Sequence, residues 1–252
     1  MRTVAYLRQK KLLEMFLEHE FLRYSEIKSA FCDVSVSTIK RDLKALAADG
    51  QLRLVRGGAV KINAQREPAG FDVPLNTKMM LHTEEKERIA KFAASLVEDG
   101  DVIFIDSSTT AIPIVRYLGD KNVTIVTSSI NILQSIQSEK HKIVLLGGEF
   151  NMSTGSVVGS WAETMLSSIF FDKAFIGGNG FSERGGVTTP DFRESTKKKI
   201  IYKNSKIAYF LMDSSKAGKT TLSKAMDLDE ANIITDKDNE LLEKFNSYYI
   251  AT

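Results

Sequence analysis

Six times after residue 100 the chain returns to a short, almost wholly apolar run: DVIFID, VTIVTS, KIVLLGG, AFIGG, IAYFLMD and ANIITD. Runs this short read as strands, and several are separated by stretches with helical spacing, such as EEKERIAKFAASLVEDG after Thr83. A strand that is apolar on both faces has to be covered on both faces, which is the condition of a parallel sheet sandwiched between helices. The second part of the chain is therefore expected to be an α/β domain with a mostly parallel sheet, and ligands of such sheets sit beyond the carboxyl ends of the strands.

Those strand ends are polar. Asp106, Ser107, Ser108, Thr109 and Thr110 leave the first strand for a segment read as a helix with Pro113 in its first turns. Free amides at a helix start, beside four hydroxyls, make a phosphate cradle. The same run also serves as capping hydroxyls with no ligand. Further polar ends are Thr127-Ser128-Ser129 with Asn131, Gly147-Gly148, Gly177-Gly178-Asn179-Gly180 and Asp213-Ser214-Ser215-Lys216. A glycine pair by itself is more often a turn. Lys86, and Lys197 within Lys197-Lys198-Lys199, read as solvated helix residues.

The first sixty residues have a different texture. Leu7, Leu12, Leu13, Phe16 and Leu17 recur at helical spacing. Ser25 is a fair cap for a short second helix carrying Ile27, Ala30 and Phe31, and the turn Cys32-Asp33-Val34 follows. Ser35 can cap a third helix, whose Ile39, Leu43 and Leu46 face inward and which Gly50 terminates. Its outward positions are Ser37, Thr38, Lys40, Arg41 and Lys44, with hydroxyls near the start and cations beyond. A helix in a major groove uses that order, since its first residues reach bases and its cations hold phosphates. QLRLVRGGAVKI then alternates Leu52 and Leu54 with Arg53 and Arg56, and Gly57-Gly58 supplies the turn of a small hairpin, or wing. Ser35, Ser37, Thr38, Lys40, Arg41, Lys44, Arg53 and Arg56 are the expected DNA-contacting residues.

Composition sharpens this division. Of 252 residues, 34 are Lys or Arg and 32 are Asp or Glu, a net +2 that says little. To Ile62 there are twelve basic residues against seven acidic, a balance of +5; the remainder carries twenty-two against twenty-five, a balance of −3. A basic head on an acidic body points to nucleic acid for the head. Residues 63–78, with two prolines and a glycine and no periodicity, read as a linker that partly wraps the second domain, giving domains 1–62 and 79–252. One cysteine, Cys32, excludes an internal disulfide and a multi-cysteine zinc site, and is expected to be a small buried residue. His19, His82 and His141 have no ligand spacing, so neither a metal nor a cofactor is expected. With no signal-peptide block and no apolar run near the ~20 residues of a membrane helix, the expected location is cytoplasmic.

SVSTIKRDLKALAADGQLRLVRGGAV resembles the winged helix-turn-helix signature of the DeoR family of bacterial sugar-metabolism regulators, and the similarity covers about sixty residues. Lys40 stands where the family usually has Arg, and Arg56 where it has His. Lys lacks the bidentate fork of Arg, so no operator sequence is carried over. The rest of the chain, including FIGGNGFSERGGVTTPDFRESTKKK, resembles the sensor domain of that family, which is similar in fold to ribose-phosphate isomerases and CoA-transferase-like proteins. The resemblance implies a phosphorylated sugar or related metabolite as effector. Ser107, Ser108, Thr109 and Thr110 would hold its phosphate, although Ser108 replaces a common glycine. Asp106, Asn179, Thr188, Thr189 and Lys216 would reach hydroxyls or phosphate, joined by Ser128, Asn131, Gly147, Gly148, Gly180 and Lys86.

The expected function is a sequence-specific DNA-binding regulator, most often a repressor in this family, controlled by such an effector and not an enzyme. One module of this size reads too few bases, so a homo-oligomer, dimer or tetramer, is expected. The rival reading is a sugar-phosphate isomerase with a DNA-binding appendage, using a displaced base among Glu183, Asp191 and Glu194; the FIGGNGF loop itself holds no acid. A bare interaction module is the third.

Overall fold

The spacing of Leu12, Leu13 and Phe16 does produce a helix, α1 (Val4–Glu18), in the computed structural model, which describes residues 4–19, 21–48, 51–61, 75–136, 138–245 and 248–252. Those three side chains are buried, whereas Leu7 is 53% exposed and takes no part in the core. The chain divides into two compact units, with described residues 4–61 and 75–81 in the first and residues 82–252 in the second. Of the expected linker, 63–74 lies outside the described residues, as do Ile62, Gly50 and the Leu17 side chain. Leu75–Lys78 open a short helix, α4 (Leu75–Met80), whose Met80 packs into the core of the first unit.

In that unit β1 (Phe21–Arg23) precedes α2 (Tyr24–Ala30), α3 (Val36–Ala48), β2 (Leu52–Val55) and β3 (Gly58–Lys61). Helix α2 starts one residue before the expected cap. Glu26 accepts the Arg23 amide at 2.7 Å, so Ser25 is already inside the helix. Cys32, expected in the core, is exposed in the α2–α3 turn because Phe31 takes the inward position beside it. The hairpin turn is Arg56-Gly57, with Gly57 at φ +90°. Gly58 serves another purpose. It is the first residue of β3, and a Cβ there would lie 2.1 Å from the Leu22 carbonyl oxygen of β1. The charged stretch before α2, which shows no strand signal, thus becomes a third strand, giving the order β1-β3-β2. Arg8 of α1 forms a forked pair with Asp42 of α3, Nη2 to Oδ1 at 3.2 Å, and Asp42 is 3% exposed.

The second unit is built on seven strands in the order β15-β14-β12-β9-β4-β5-β6, every neighbouring pair parallel. They are β4 (Val102–Ile105), β5 (Thr124–Thr127), β6 (Lys142–Leu145), β9 (Phe171–Gly177), β12 (Ser205–Leu211), β14 (Asn232–Thr235) and β15 (Tyr248–Ile250). The first six match the apolar runs. β15 is an edge strand with two exposed residues and has no such signature. Alternate residues feed two cores. Ile103, Ile105, Ile125, Phe175, Tyr209 and Leu211 face α5 (Thr83–Ser95) and α6 (Ile114–Tyr117). Phe104, Val126, Ala174, Ile176, Ala208 and Phe210 face α8 (Ser160–Ser167) and α9 (Phe192–Lys203). A short helix α7 (Ile130–Leu133) follows β5, and a hairpin of β7 (Glu149–Asn151) and β8 (Ser156–Val158) follows β6. An antiparallel sheet of β10 (Gly180–Ser182), β11 (Gly186–Thr189) and β13 (Ser223–Met226) adds Phe181, Val187 and Met226 to the second core.

From β4 the chain builds outward through β5 and β6, then returns to the other side of β4 with β9 and builds away through β12, β14 and β15. The reversal lies between β4 and β9, the position at which open parallel sheets leave a crevice.

Because the Leu22 carbonyl is backbone and cannot swing aside, Gly58→Ala is expected to destabilise the first unit by about 1–3 kcal/mol. Thermal unfolding reads this as an earlier transition of that unit, with the second unit unchanged; an unshifted transition would show that β1 and β3 tolerate the wider spacing.

Candidate functional site

On the first unit, the candidate site is the open face of α3 and the hairpin. Ser35 Oγ accepts the Thr38 amide at 3.2 Å and lies 2.9 Å from Ser37 Oγ and 2.8 Å from Thr38 Oγ1, so it is the helix cap. Ser37, Lys40, Arg41 and Lys44 are exposed and Thr38 is half-buried. Lys40 Nζ sits 5.6 Å from the centre of the Tyr24 ring, which steadies its stem. Arg53 and Arg56 are exposed on the hairpin, Arg56 at its tip. The sole acid of α3, Asp42, is turned inward onto Arg8. The exposed face of α3 is therefore cationic, with no carboxylate of the helix itself on it.

On the second unit, the candidate site lies at the β4–β9 reversal and is centred on Asp106, which is 0% exposed. Both of its oxygens are engaged. Oδ1 accepts the Ser107 amide at 2.9 Å, and Oδ2 accepts the Gly177 amide at 3.0 Å and Lys198 Nζ at 2.5 Å. Lys197 Nζ lies 3.8 Å from Oδ1 and 2.9 Å from Glu194 Oε2, and Lys198 lies 3.7 Å from the same Glu194 oxygen. Lys197 also donates to Ser128 Oγ at 3.1 Å and Ser156 Oγ at 2.6 Å. Burial alone would push the Asp106 carboxyl up, but Lys198 and Lys197 outweigh it and hold it at about 2. The two carboxylates and two ammoniums balance. Lys197 and Lys198, expected on a solvated face, are 1% and 4% exposed, and only Lys199 of the triplet faces out.

The segment after Asp106 is not the expected helix start. Residues 107–113 run as successive turns and α6 is four residues long, beginning only at Ile114. Ser108 Oγ accepts the Ala111 amide at 3.0 Å, while among the described residues the amides of Ser108, Thr109 and Thr110 have no backbone acceptor. Ser108 lies over Gly177, where a Cβ would come within 2.1 Å of the Ser108 Cβ; this is why the end of β9 is bare. Ser107, Thr109 and Thr110 are buried, and Thr110 Oγ1 has no partner.

A second charged group forms beyond β12. Asp213 is 1% exposed and lies 3.4 Å from Lys216 Nζ, and it accepts the Ser215 hydroxyl. Burial pushes its carboxyl up, and Lys216, the Ser215 hydroxyl, Lys86 and His82 together bring it down to about 2. Lys86, expected on a solvated helix face, is 5% exposed and thus faces this group from α5.

Other expected residues are used internally. The Thr188 hydroxyl donates to the Gly180 carbonyl at 3.2 Å and accepts the Thr221 amide at 3.0 Å. Gly180 makes room for the Lys219 carbonyl, 2.5 Å from where its Cβ would be. Gly148 has φ +147° and similarly admits the Val158 carbonyl, and Gly147 is exposed beside it. Thr189 Oγ1 lies 3.5 Å from Asn179 Oδ1, and Asn131 is half-buried on α7. Lys198 and Ser156 were not anticipated as site residues, and Glu194 was named only as a candidate base of the rival enzyme reading. The available signal is the i,i+3 and i,i+4 spacing of Glu194 to Lys197 and Lys198, on the face that ends in Ile201. Apart from Ile201, no apolar residue on that face marks it as buried.

Comparison with known proteins bears on both units. The DeoR-like helix-turn-helix domain matches residues 8–65, and the DeoR C terminal sensor domain matches residues 81–237. An uncharacterized HTH-type transcriptional regulator, FruR, of Bacillus subtilis is 33% identical over 96% of this chain and 94% of its own. A lactose phosphotransferase system repressor of Staphylococcus epidermidis is 34% identical over 86% of each. Among solved structures, ribose 5-phosphate isomerase A of Methanocaldococcus jannaschii aligns over 54% of each chain at 23% identity, with a TM-score of 0.39.

Removing one charge from the buried set tests its weight. Asp106→Asn leaves two ammoniums against one carboxylate and is expected to cost about 3–5 kcal/mol, an earlier unfolding of the second unit by roughly 6–20 °C at neutral pH. The folded carboxyl ionises at about 2 instead of its ordinary 3.8. Its contribution is therefore complete above pH ~4 and is lost as pH falls toward ~2. Wild type and variant should converge over that window in a pH series of melting curves; a constant gap would remove Asp106 as the source.

Proposed function

The chain belongs to the DeoR family of helix-turn-helix regulators, and from that premise we propose that it represses a carbohydrate-metabolism operon under the control of a phosphorylated sugar. The observation that carries the DNA half is the α3 face, where Lys40, Arg41 and Lys44 are exposed while Asp42 is folded away onto Arg8. Ser37 and Thr38 at the start of α3 would read base edges, and the cations of α3 with Arg53 and Arg56 would hold phosphates. Ser35 would act through the helix start that it caps. The relatives support the regulatory role, one being named a transcriptional regulator and another a repressor. A homo-oligomer would supply the second half-site that one module cannot read.

For the effector, the turns after β4 offer the three unaccepted amides of Ser108, Thr109 and Thr110 beside buried hydroxyls, a cradle for phosphate oxygens. Lys86 and Lys216 would add cations from the Asp213 group. An isomerase needs a base ready to take a proton from carbon, and the three acids named for that reading are engaged: Glu183 pairs with Lys244, Asp191 accepts the Arg193 amide and guanidinium, and Glu194 pairs with Lys197. Effector binding controls repression only if it favours one DNA-binding arrangement over another.

Two substitutions separate the halves. Arg41→Ala is expected to weaken operator binding across sequences and to lower the slope of log affinity against log salt by about one unit; equal affinity at two salt concentrations would take Arg41 out of the interface. Thr109→Phe is expected to abolish the effector response and leave operator binding intact, read by a shift assay with a panel of sugar phosphates, and a variant that still responds rules out the cradle.

A further inference from the structure

The buried quartet contains one unfinished interaction. Glu194 Oε2 faces Lys197 at 2.9 Å, but Glu194 Oε1 is buried and accepts no hydrogen bond. Around it the other acceptors are taken. Asp106 has both oxygens filled, and Ser128 and Ser156 receive Lys197. Two further buried hydroxyls are also without partners, Thr110 Oγ1, four residues after Asp106, and Ser129 Oγ, next to the Ser128 that Lys197 reaches, both on fully buried residues. A buried carboxylate oxygen without a donor is costly, and sites that persist in this condition are completed by one.

The chemistry of that donor is constrained. A carboxylate oxygen only accepts, which excludes phosphate oxygens as its partner. A cation would meet the two ammoniums of Lys197 and Lys198 in a set already balanced in charge. A neutral hydroxyl satisfies Oε1 without disturbing the balance, and Thr110 and Ser129 can each give or accept a further bond to an adjacent hydroxyl.

We propose that Glu194 is the specificity-determining residue of the effector site, accepting a hydroxyl of the sugar's polyol end while the phosphate lies in the turns after β4. This rests on the sugar-phosphate reading above and adds to it which residue distinguishes a polyhydroxylated effector from a plain phosphate ester. Asp106, the sequence's candidate for that contact, becomes the residue that positions Lys198 and the end of β9.

The test uses the full chain and titration calorimetry with hexose and pentose phosphates, the deoxy analogue of the tightest binder, methyl phosphate and inorganic phosphate. Two variants are compared: Glu194→Gln, which keeps the shape, and Glu194→Asp, which keeps the charge against Lys197 and withdraws the oxygen by one methylene. Both are expected to weaken the tightest sugar phosphate by about tenfold or more. Inorganic phosphate, methyl phosphate and the matching deoxy analogue should bind Glu194→Asp, which keeps the buried set neutral, as they bind the wild type. Equal loss for all ligands in Glu194→Asp would make Glu194 a structural residue, and no loss for the sugar would mean that Oε1 holds only water; either overturns the inference alone. Wild-type protein that binds none of the sugar phosphates would overturn the effector reading and the inference with it.

Discussion

Four charged side chains are buried together at the carboxyl ends of the strands of the second unit, and their mutual neutrality is what permits that burial. Asp106 follows β4, Gly177 ends β9, and Lys197, Lys198 and Glu194 come from α9. Each ion would lose several kcal/mol of hydration, of order ~5, if buried unpaired, so none of the four can be there without the others. Through Lys197 the set also reaches Ser128 after β5 and Ser156 at the start of β8. Three strand ends, a hairpin and a helix are thus held in register at the place where the sheet reverses direction and a ligand crevice is available.

A smaller version of the same device organises the head. Arg8 and Asp42 tie α1 to α3 from within, and the tie has a second effect at the surface. A carboxylate left on the outer face of α3 would repel the phosphates that Lys40, Arg41 and Lys44 attract. Turned inward it raises the Arg8 guanidinium above its ordinary range through their hydrogen bond, and it clears the outer face of negative charge. In both units a buried ion pair shapes the electrostatics of the neighbouring open site.

Much of this was legible in residue order. Six of seven strands were visible because a strand buried on both faces must be apolar throughout, and the helix caps and hairpin were visible wherever Ser35 or Gly57 has a local job. The missing elements are those whose stability is not local. β15 has only an edge to fill, β1 is created by pairing with β3, and the turns after Asp106 replace a helix because Ser108 has to sit over Gly177.

The sequence by itself determined that a basic three-helix head with a wing precedes a parallel α/β body, and that polar residues gather at the ends of its strands. Period and charge balance are one-dimensional properties, and they survive without knowledge of contacts. Only the tertiary structure decided which of those polar residues remain open. Thr188 and Gly180 are consumed by the backbone, Asp106 is filled by amides and lysines, and a triplet of lysines that looks solvated sends two members inward. The reason is physical: a lysine is hydrophilic in isolation, and only a carboxylate some ninety residues away, brought within 2.5 Å by the fold, makes its burial favourable.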